Sequence, residues 1–153
     1  MIIILEGPDG SGKTTLANKI KEQTGYTLLH RSHQTDTGAT NLFDEYAQVI
    51  KAGKNCIMDR GWYSEMVYGP VMRGASIITY PQMYELERLL AKNGALLIHC
   101  TAPEMTLWKR CLRRGEDYVT SRDKFSQICR EFHALMHGVP HFIPVLTYEY
   151  EDV

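Results

Sequence analysis

The sequence predicts a three-layer α/β fold, a five-stranded parallel sheet covered by helices on both faces. Three features predict it. Five short apolar segments alternate with helical segments along the 153 residues, the order that builds βαβ units. Several of those apolar segments are continuous rather than alternating, as in strands buried on both faces. A glycine-rich octapeptide from Gly7 to Thr14 joins the first apolar segment to the first helical one.

The first strand is expected at Ile2 to Leu5, the second at Thr27 to Leu29 and the third at Cys56 to Met58. The fourth is expected at Ala95 to Ile98 and the last between Phe142 and Tyr148. Between them, Lys13 to Gln23 reads as a helix stopped by Gly25. Asn41 to Lys51 places Leu42, Tyr46, Val49 and Ile50 on one face and stops at Gly53. Pro81 to Lys92 and Pro103 to Arg113 each open with a proline in the first turn, where its missing N–H costs nothing. Arg122 to Met136 is a long amphipathic stretch ending at Gly138-Val139-Pro140. Residues 60–80, with Gly61, Gly69, Pro70, Gly74 and several aromatics, read as a ligand-facing loop and helix. No internal repeat or linker interrupts the pattern, so one domain over 1–153 is expected.

Composition narrows the function classes. The chain carries 17 basic and 18 acidic residues, a net charge of −1. That balance argues against stable nucleic-acid binding, which needs a basic excess or stripe. It leaves room for a small anionic ligand held by local arginines. Cys56, Cys100, Cys111 and Cys129 form no CxxC and no zinc spacing. Cys56 and Cys100 lie in apolar runs and read as core, which favours a reducing, cytoplasmic compartment. No apolar run reaches the length of a membrane-spanning helix. Met1 to Leu5 lacks the basic start and the length of a signal peptide and reads as a strand.

The octapeptide Gly-Pro-Asp-Gly-Ser-Gly-Lys-Thr matches GxxxxGK[ST] at Gly7, Gly12, Lys13 and Thr14, between a strand and a helix as a phosphate-binding P-loop requires. This predicts a P-loop NTPase fold. Glycines let the backbone N–H groups of Gly7, Gly10, Ser11, Gly12, Thr14 and Thr15 converge on phosphate oxygens, and the helix N-terminus adds positive potential. Lys13 is expected to reach the outer phosphates of ATP, and the Thr14 hydroxyl to bind Mg²⁺. A GTPase would need Asn-Lys-x-Asp, which Lys92-Asn93-Gly94 fails. Motor ATPases are generally larger and carry a strand ending in Asp-Glu, whereas here the third strand ends in Asp59-Arg60. A small-molecule kinase fits best.

The segment Glu6 to Thr15 resembles the P-loop of thymidylate kinases, with an acidic residue inside the loop at Asp9. Asp59-Arg60 resembles that family's Asp-Arg-Tyr/His motif, although the third position is Gly61. Ser64 and Tyr68 fall where relatives carry a serine and a base-stacking aromatic. Arg110-Cys111-Leu112-Arg113-Arg114-Gly115-Glu116-Asp117 resembles the arginine-bearing LID of nucleotide kinases, placed at about 110–122. Two further features depart from the family: Gly10 stands where some members carry a catalytic arginine, and His30 to Gly38 replaces the Arg-Glu-Pro-Gly-Gly stretch.

The resemblance implies an ATP- and Mg²⁺-dependent kinase of a nucleoside monophosphate, with a deoxypyrimidine nucleotide such as dTMP as acceptor, and a homodimer. It implies that Asp9 reaches the acceptor sugar and that Arg31 takes the phosphate-binding arginine's part. Arg60 and Arg31 would hold the acceptor phosphate through the fork geometry that suits phosphate. Lys13 and the arginines Arg110, Arg113 and Arg114 would offset charge on the moving phosphoryl group, and Asp59 would bind Mg²⁺ through water. Tyr68 would stack on the base and Arg73 would touch base or phosphate. Plainer readings stand beside these: a strand-end ion pair for Asp59-Arg60, a turn-shaping Asp9, a core Tyr68, and a solvated helix end for the three arginines. His133 and His137, four apart, lack the glutamate of HExxH and read as polar surface residues. The rival functions are a deoxynucleoside kinase, in which Asp59 serves as base, a 5′-hydroxyl kinase of nucleic acid, and a nucleotide-binding regulatory module without catalysis. A mere binder has no need of Arg60 and a LID cluster.

Overall fold

All five residues of β1 (Ile2–Glu6) are buried, which places this strand at the centre of the sheet. The computed structural model describes residues 1–30, 41–115, 118–119 and 121–150. The other strands are β2 (Thr27–His30), β3 (Cys56–Asp59), β4 (Ala95–Thr101) and β5 (Val145–Glu149). They form one parallel sheet in the order β2-β3-β1-β4-β5. The inner strands β3 and β4 are buried nearly throughout, whereas the edge strands β2 and β5 expose Leu29 and Leu146. Continuous apolar runs therefore mark the centre and shorter, mixed runs the edges.

The helices are α1 (Lys13–Thr24), α2 (Leu42–Lys51), α3 (Trp62–Tyr68), α4 (Tyr80–Asn93), α5 (Glu104–Arg114) and α6 (Arg122–His137). A single π-helical turn, Gly69–Arg73, continues α3. Strand pleating divides the core in two. Ile2, Ile4, Cys56, Met58 and Leu97 pack with residues of α2 to α6. Ile3, Leu5, Ile57, Ile98 and Cys100 pack with Leu16, Ala17 and Ile20 of α1. Both faces carry helix, and α1 alone supplies the helical part of the smaller cluster among the described residues. No described helix is long and apolar enough to cross a membrane.

The last strand begins at Val145, not Phe142 as expected. Phe142 is half exposed, and its N–H donates to Glu87 Oε1 at 2.7 Å, so it is committed to α4 before the ladder opens at Leu97↔Val145. Glu87 is fully buried and also accepts from the Tyr63 hydroxyl and His141 Nδ1, each at 2.7 Å. His141 Nε2 donates to the Leu135 carbonyl at 2.7 Å. With both ring nitrogens donating, His141 is an imidazolium paired with a buried carboxylate. Burial works against that charge, but the bonds to Glu87 and Leu135 outweigh it and raise the pKa above the usual 6.5. Stability from this pair is therefore complete below pH 6.5 and lost as pH rises through the raised value. His141→Gln should lower stability by about 3 kcal/mol near neutrality, because it strands a buried carboxylate, and should flatten the alkaline decline. Denaturant unfolding at a series of pH values checks both.

Candidate active site

The P-loop runs from the end of β1 to the start of α1 and is packed tightly from below. A Cβ at Gly7 would lie 2.0 Å from the Cys100 carbonyl oxygen, so β4 allows no side chain there. A Cβ at Gly10 would lie 3.0 Å from the Leu107 carbonyl and 3.2 Å from Arg110 Cβ. The absence of a loop arginine at this position thus has a physical reason: α5 occupies the space. Gly10→Arg should cost about 1–3 kcal/mol by overpacking, read as a lowered unfolding midpoint, rather than restore a catalytic arginine.

Asn41, Thr79 and Ser121 cap α2, α4 and α6 with their side chains. At α1 the N-cap is Gly12, no side chain caps it, and the first turn has no acidic residue. Its leading N–H groups remain available to an anion, and Lys13 and Thr14 begin the same turn. Lys13 Nζ donates to the Gly7 carbonyl at 2.8 Å, the Pro8 carbonyl at 2.9 Å and Ser11 Oγ at 3.3 Å. Burial, assisted by the Arg60 charge, lowers its pKa from the usual 10.5. Thr15 follows, exposed, on the first turn.

The end of β3 meets this turn. The Thr14 hydroxyl donates to Asp59 Oδ2 at 2.7 Å, and His30 Nδ1 lies 2.9 Å from the same oxygen. A hydroxyl and a carboxylate side by side next to a phosphate loop are hard oxygen donors that fit Mg²⁺, which takes few protein ligands and completes its shell with phosphates and water. Among the described residues no group of three or more His, Cys, Asp and Glu side chains is arranged to hold a metal ion.

Arg60 adopts φ 77°, the one non-glycine residue at positive φ among the described residues. This left-handed turn directs its buried guanidinium to Asp9 Oδ1 at 3.2 Å and Ser64 Oγ at 3.4 Å. Burial opposes its charge, but Tyr68, Asp9 and Glu6 together raise its pKa further. Glu6, fully buried, accepts from the Ser64 N–H at 2.9 Å and from the Ser64 hydroxyl. No side chain of its own segment caps α3, so Glu6 caps it from β1. Desolvation raises the Glu6 pKa despite the Ser64 bonds. Tyr68 is buried, its hydroxyl accepts from the Asp9 N–H at 3.2 Å, and its ring packs near Tyr118 and Phe132. It sits as a core residue beneath the loop rather than as an open stacking surface.

Two expected site arginines are placed differently. Arg73 donates to both carboxylate oxygens of Glu65, at 2.5 and 2.6 Å, and Glu65 also holds the Ile77 N–H. The pairing ties the π-helical turn to α3 instead of presenting Arg73 to a base. Arg110, expected to face the moving phosphoryl group, is 4% exposed. Its guanidinium donates to the Gly10 carbonyl at 3.1 Å and the Tyr150 carbonyl at 3.0 Å, and stacks on the Tyr150 ring at 4.6 Å. It braces the P-loop against the end of the sheet. Arg113 and Arg114 are exposed on the last turn of α5. Arg31 and part of the expected LID, residues 116, 117 and 120, lie outside the described residues. His137 Nε2 lies 2.9 Å from His99 Nδ1, and burial lowers the His99 pKa to about 4. Glu6, His30 and Tyr150 join the site without any signal in their local sequence. Only strand order reveals the first two, and Tyr150 reaches the loop because β5 ends beside it.

Among curated proteins, the chain is 31% identical over 125 residues to the SPbeta prophage-derived uncharacterized protein YorR of Bacillus subtilis (strain 168), covering 80% of this chain and 74% of that one. No family model matches the chain. The crystal structure of YorR in complex with phosphorylated GDP aligns with a TM-score of 0.82 at 24% identity, covering 97% of this chain and 85% of that one. Deoxyadenosine kinase from M. mycoides with bound dCTP aligns with a TM-score of 0.65 at 15% identity, covering 97% and 90%. These structural likenesses establish the P-loop kinase fold.

Proposed function

The chain belongs to the family of the Bacillus subtilis protein YorR, and we propose that it is an ATP-dependent kinase of a nucleoside monophosphate, similar to thymidylate kinases, with a deoxypyrimidine nucleotide such as dTMP as acceptor. One observation carries this reading. Asp59 and Arg60 are consecutive, yet Asp59 bonds Thr14 of the phosphate loop while Arg60 bonds Asp9 and Ser64. A donor half and an acceptor half of a phosphoryl-transfer site therefore meet at the end of one strand, where ligands bind in open α/β sheets.

The α1 N-terminus and Lys13 bind the donor phosphates, and Lys13 offsets charge on the outer ones. Thr14 and Asp59 would hold Mg²⁺, which when bound supplies further neutralisation of phosphate oxygens. Arg60, buried and permanently charged, holds the acceptor phosphate opposite the loop, while Asp9 orients the acceptor sugar. Arg113 and Arg114 supply the charge that Gly10 cannot, Arg31 adds a second phosphate contact, and Arg110 keeps the loop in shape. An acceptor phosphate is already anionic, so alignment and charge stabilisation suffice and no base is required.

A second reading is a deoxynucleoside kinase, favoured by the likeness to deoxyadenosine kinase. There Asp59 would accept the 5′-hydroxyl proton. Its oxygen Oδ2 already accepts from Thr14 and His30, which suits a fixed ligand better than a base. A nucleotide-binding regulatory module without turnover is the reading of a different class. The test is transfer of labelled γ-phosphate from ATP to a panel of nucleosides and nucleoside monophosphates, with guanine compounds included because of the YorR complex. Phosphorylation of dTMP or another monophosphate is expected. Phosphorylation of nucleosides alone would replace the lead reading with the second, and no transfer to any acceptor would leave the regulatory module.

A further inference from the structure

His30 is the last residue of β2 and stands in register with Asp59 of β3, so the two side chains leave adjacent parallel strands at the same level. Its Nδ1 lies 2.9 Å from Asp59 Oδ2, the oxygen that accepts the Thr14 hydroxyl at 2.7 Å. A carboxylate only accepts, so the imidazole carries its proton on Nδ1. The His30 side chain is 61% exposed and that of Asp59 2%. Such a residue contributes little to the core, and among the described residues its polar contact is to this carboxylate oxygen.

On the reading that this site holds a metal–nucleotide complex, we infer that His30 is a positioning residue: it locks Oδ2 of Asp59 and leaves Oδ1 directed to the metal's water shell. Two donors from different elements, Thr14 on α1 and His30 on β2, fix the carboxylate on one edge. A carboxylate held this way keeps one rotamer when a divalent cation arrives, and so avoids part of the ordering cost of binding it. Partners of a directly ligating group typically govern metal affinity by about 10–100-fold; Asp59 acts through the metal's water, which puts the effect of His30 at the lower end of that range. The phosphates, held by the α1 N-terminus and Lys13, do not depend on His30. Its effect is therefore confined to the cation.

The test uses the full chain with the non-hydrolysable analogue AMPPNP, protein in excess, and Mn²⁺ as the probe followed by electron paramagnetic resonance. His30→Ala should weaken Mn²⁺ binding to the protein–AMPPNP complex about 10-fold, while AMPPNP affinity in EDTA stays within twofold of wild type. His30→Asn, whose side-chain amide can donate from nearly the same place, should recover most of the Mn²⁺ affinity. Equal Mn²⁺ affinity in wild type and His30→Ala overturns the inference and leaves the kinase reading intact. So does a His30→Asn variant that stays as weak as His30→Ala. A wild-type protein that fails to bind AMPPNP overturns both.

Discussion

Lys13→Ala should lower kcat for phosphoryl transfer by about 10²–10³-fold, the order expected when a preorganised donor is removed from a transition state. The Lys13 ammonium is buried and its pKa is depressed by desolvation, so it acts in a medium that screens it poorly. It is held at 2.8 and 2.9 Å from the Gly7 and Pro8 carbonyls, within the loop that would wrap the phosphates. The backbone N–H groups of the α1 N-terminus survive the substitution. ATP affinity should therefore fall much less than kcat. Alanine also leaves two carbonyls without their donor but removes a desolvated charge, and these changes oppose one another in stability. Single-turnover kinetics with an equilibrium nucleotide-binding measurement separates the two losses.

Arg60→Ala should raise the acceptor KM by about 10–100-fold, in line with the loss of charged hydrogen bonds worth about 1.5–3 kcal/mol, and should also reduce kcat. The dissociation constant for ATP should change much less than the acceptor KM, because Arg60 bonds Asp9, the loop residue assigned to the acceptor sugar, and Ser64 of α3. A lysine cannot substitute, since the fork reaches two partners at once. The backbone offers an internal control. Arg60 sits at φ 77°, a conformation that costs a residue with a Cβ roughly 1–2 kcal/mol. Arg60→Gly should therefore be the more stable of the two variants while showing the same kinetic defect. A kinetic loss that tracks stability instead would mean Arg60 matters only for folding.

The central strands and the phosphate loop were legible because their causes are local. Ile2 to Leu5 and Cys56 to Met58 are unbroken apolar runs, and GxxxxGK[ST] fixes the turn between β1 and α1. Asp59 and Arg60 were legible as the polar end of an apolar strand. The burial of Arg110 has a local trace: it lies three residues after Leu107 and one before Cys111, on the helix face that both bury. The roles of Glu6 and His30 depend on which strands are neighbours. No local pattern states that β2 lies beside β3, or that the start of α3 lies beside the end of β1. The late start of β5 followed from Glu87, a buried carboxylate 55 residues away that takes the Phe142 N–H. The pairing of Arg73 with Glu65 is illegible for a similar reason, since the π-helical turn brings the two together.

If Gly7 to Thr14 and Asp59-Arg60 form one phosphoryl-transfer site, removal of Lys13 must stop transfer to the acceptor. The most direct measurement is phosphorus NMR of wild-type protein and Lys13→Ala, each incubated with ATP, Mg²⁺ and dTMP. Wild-type protein should convert ATP and dTMP to ADP and dTDP, with no conversion by Lys13→Ala over the same period. Equal conversion by both proteins would contradict the assignment of this site.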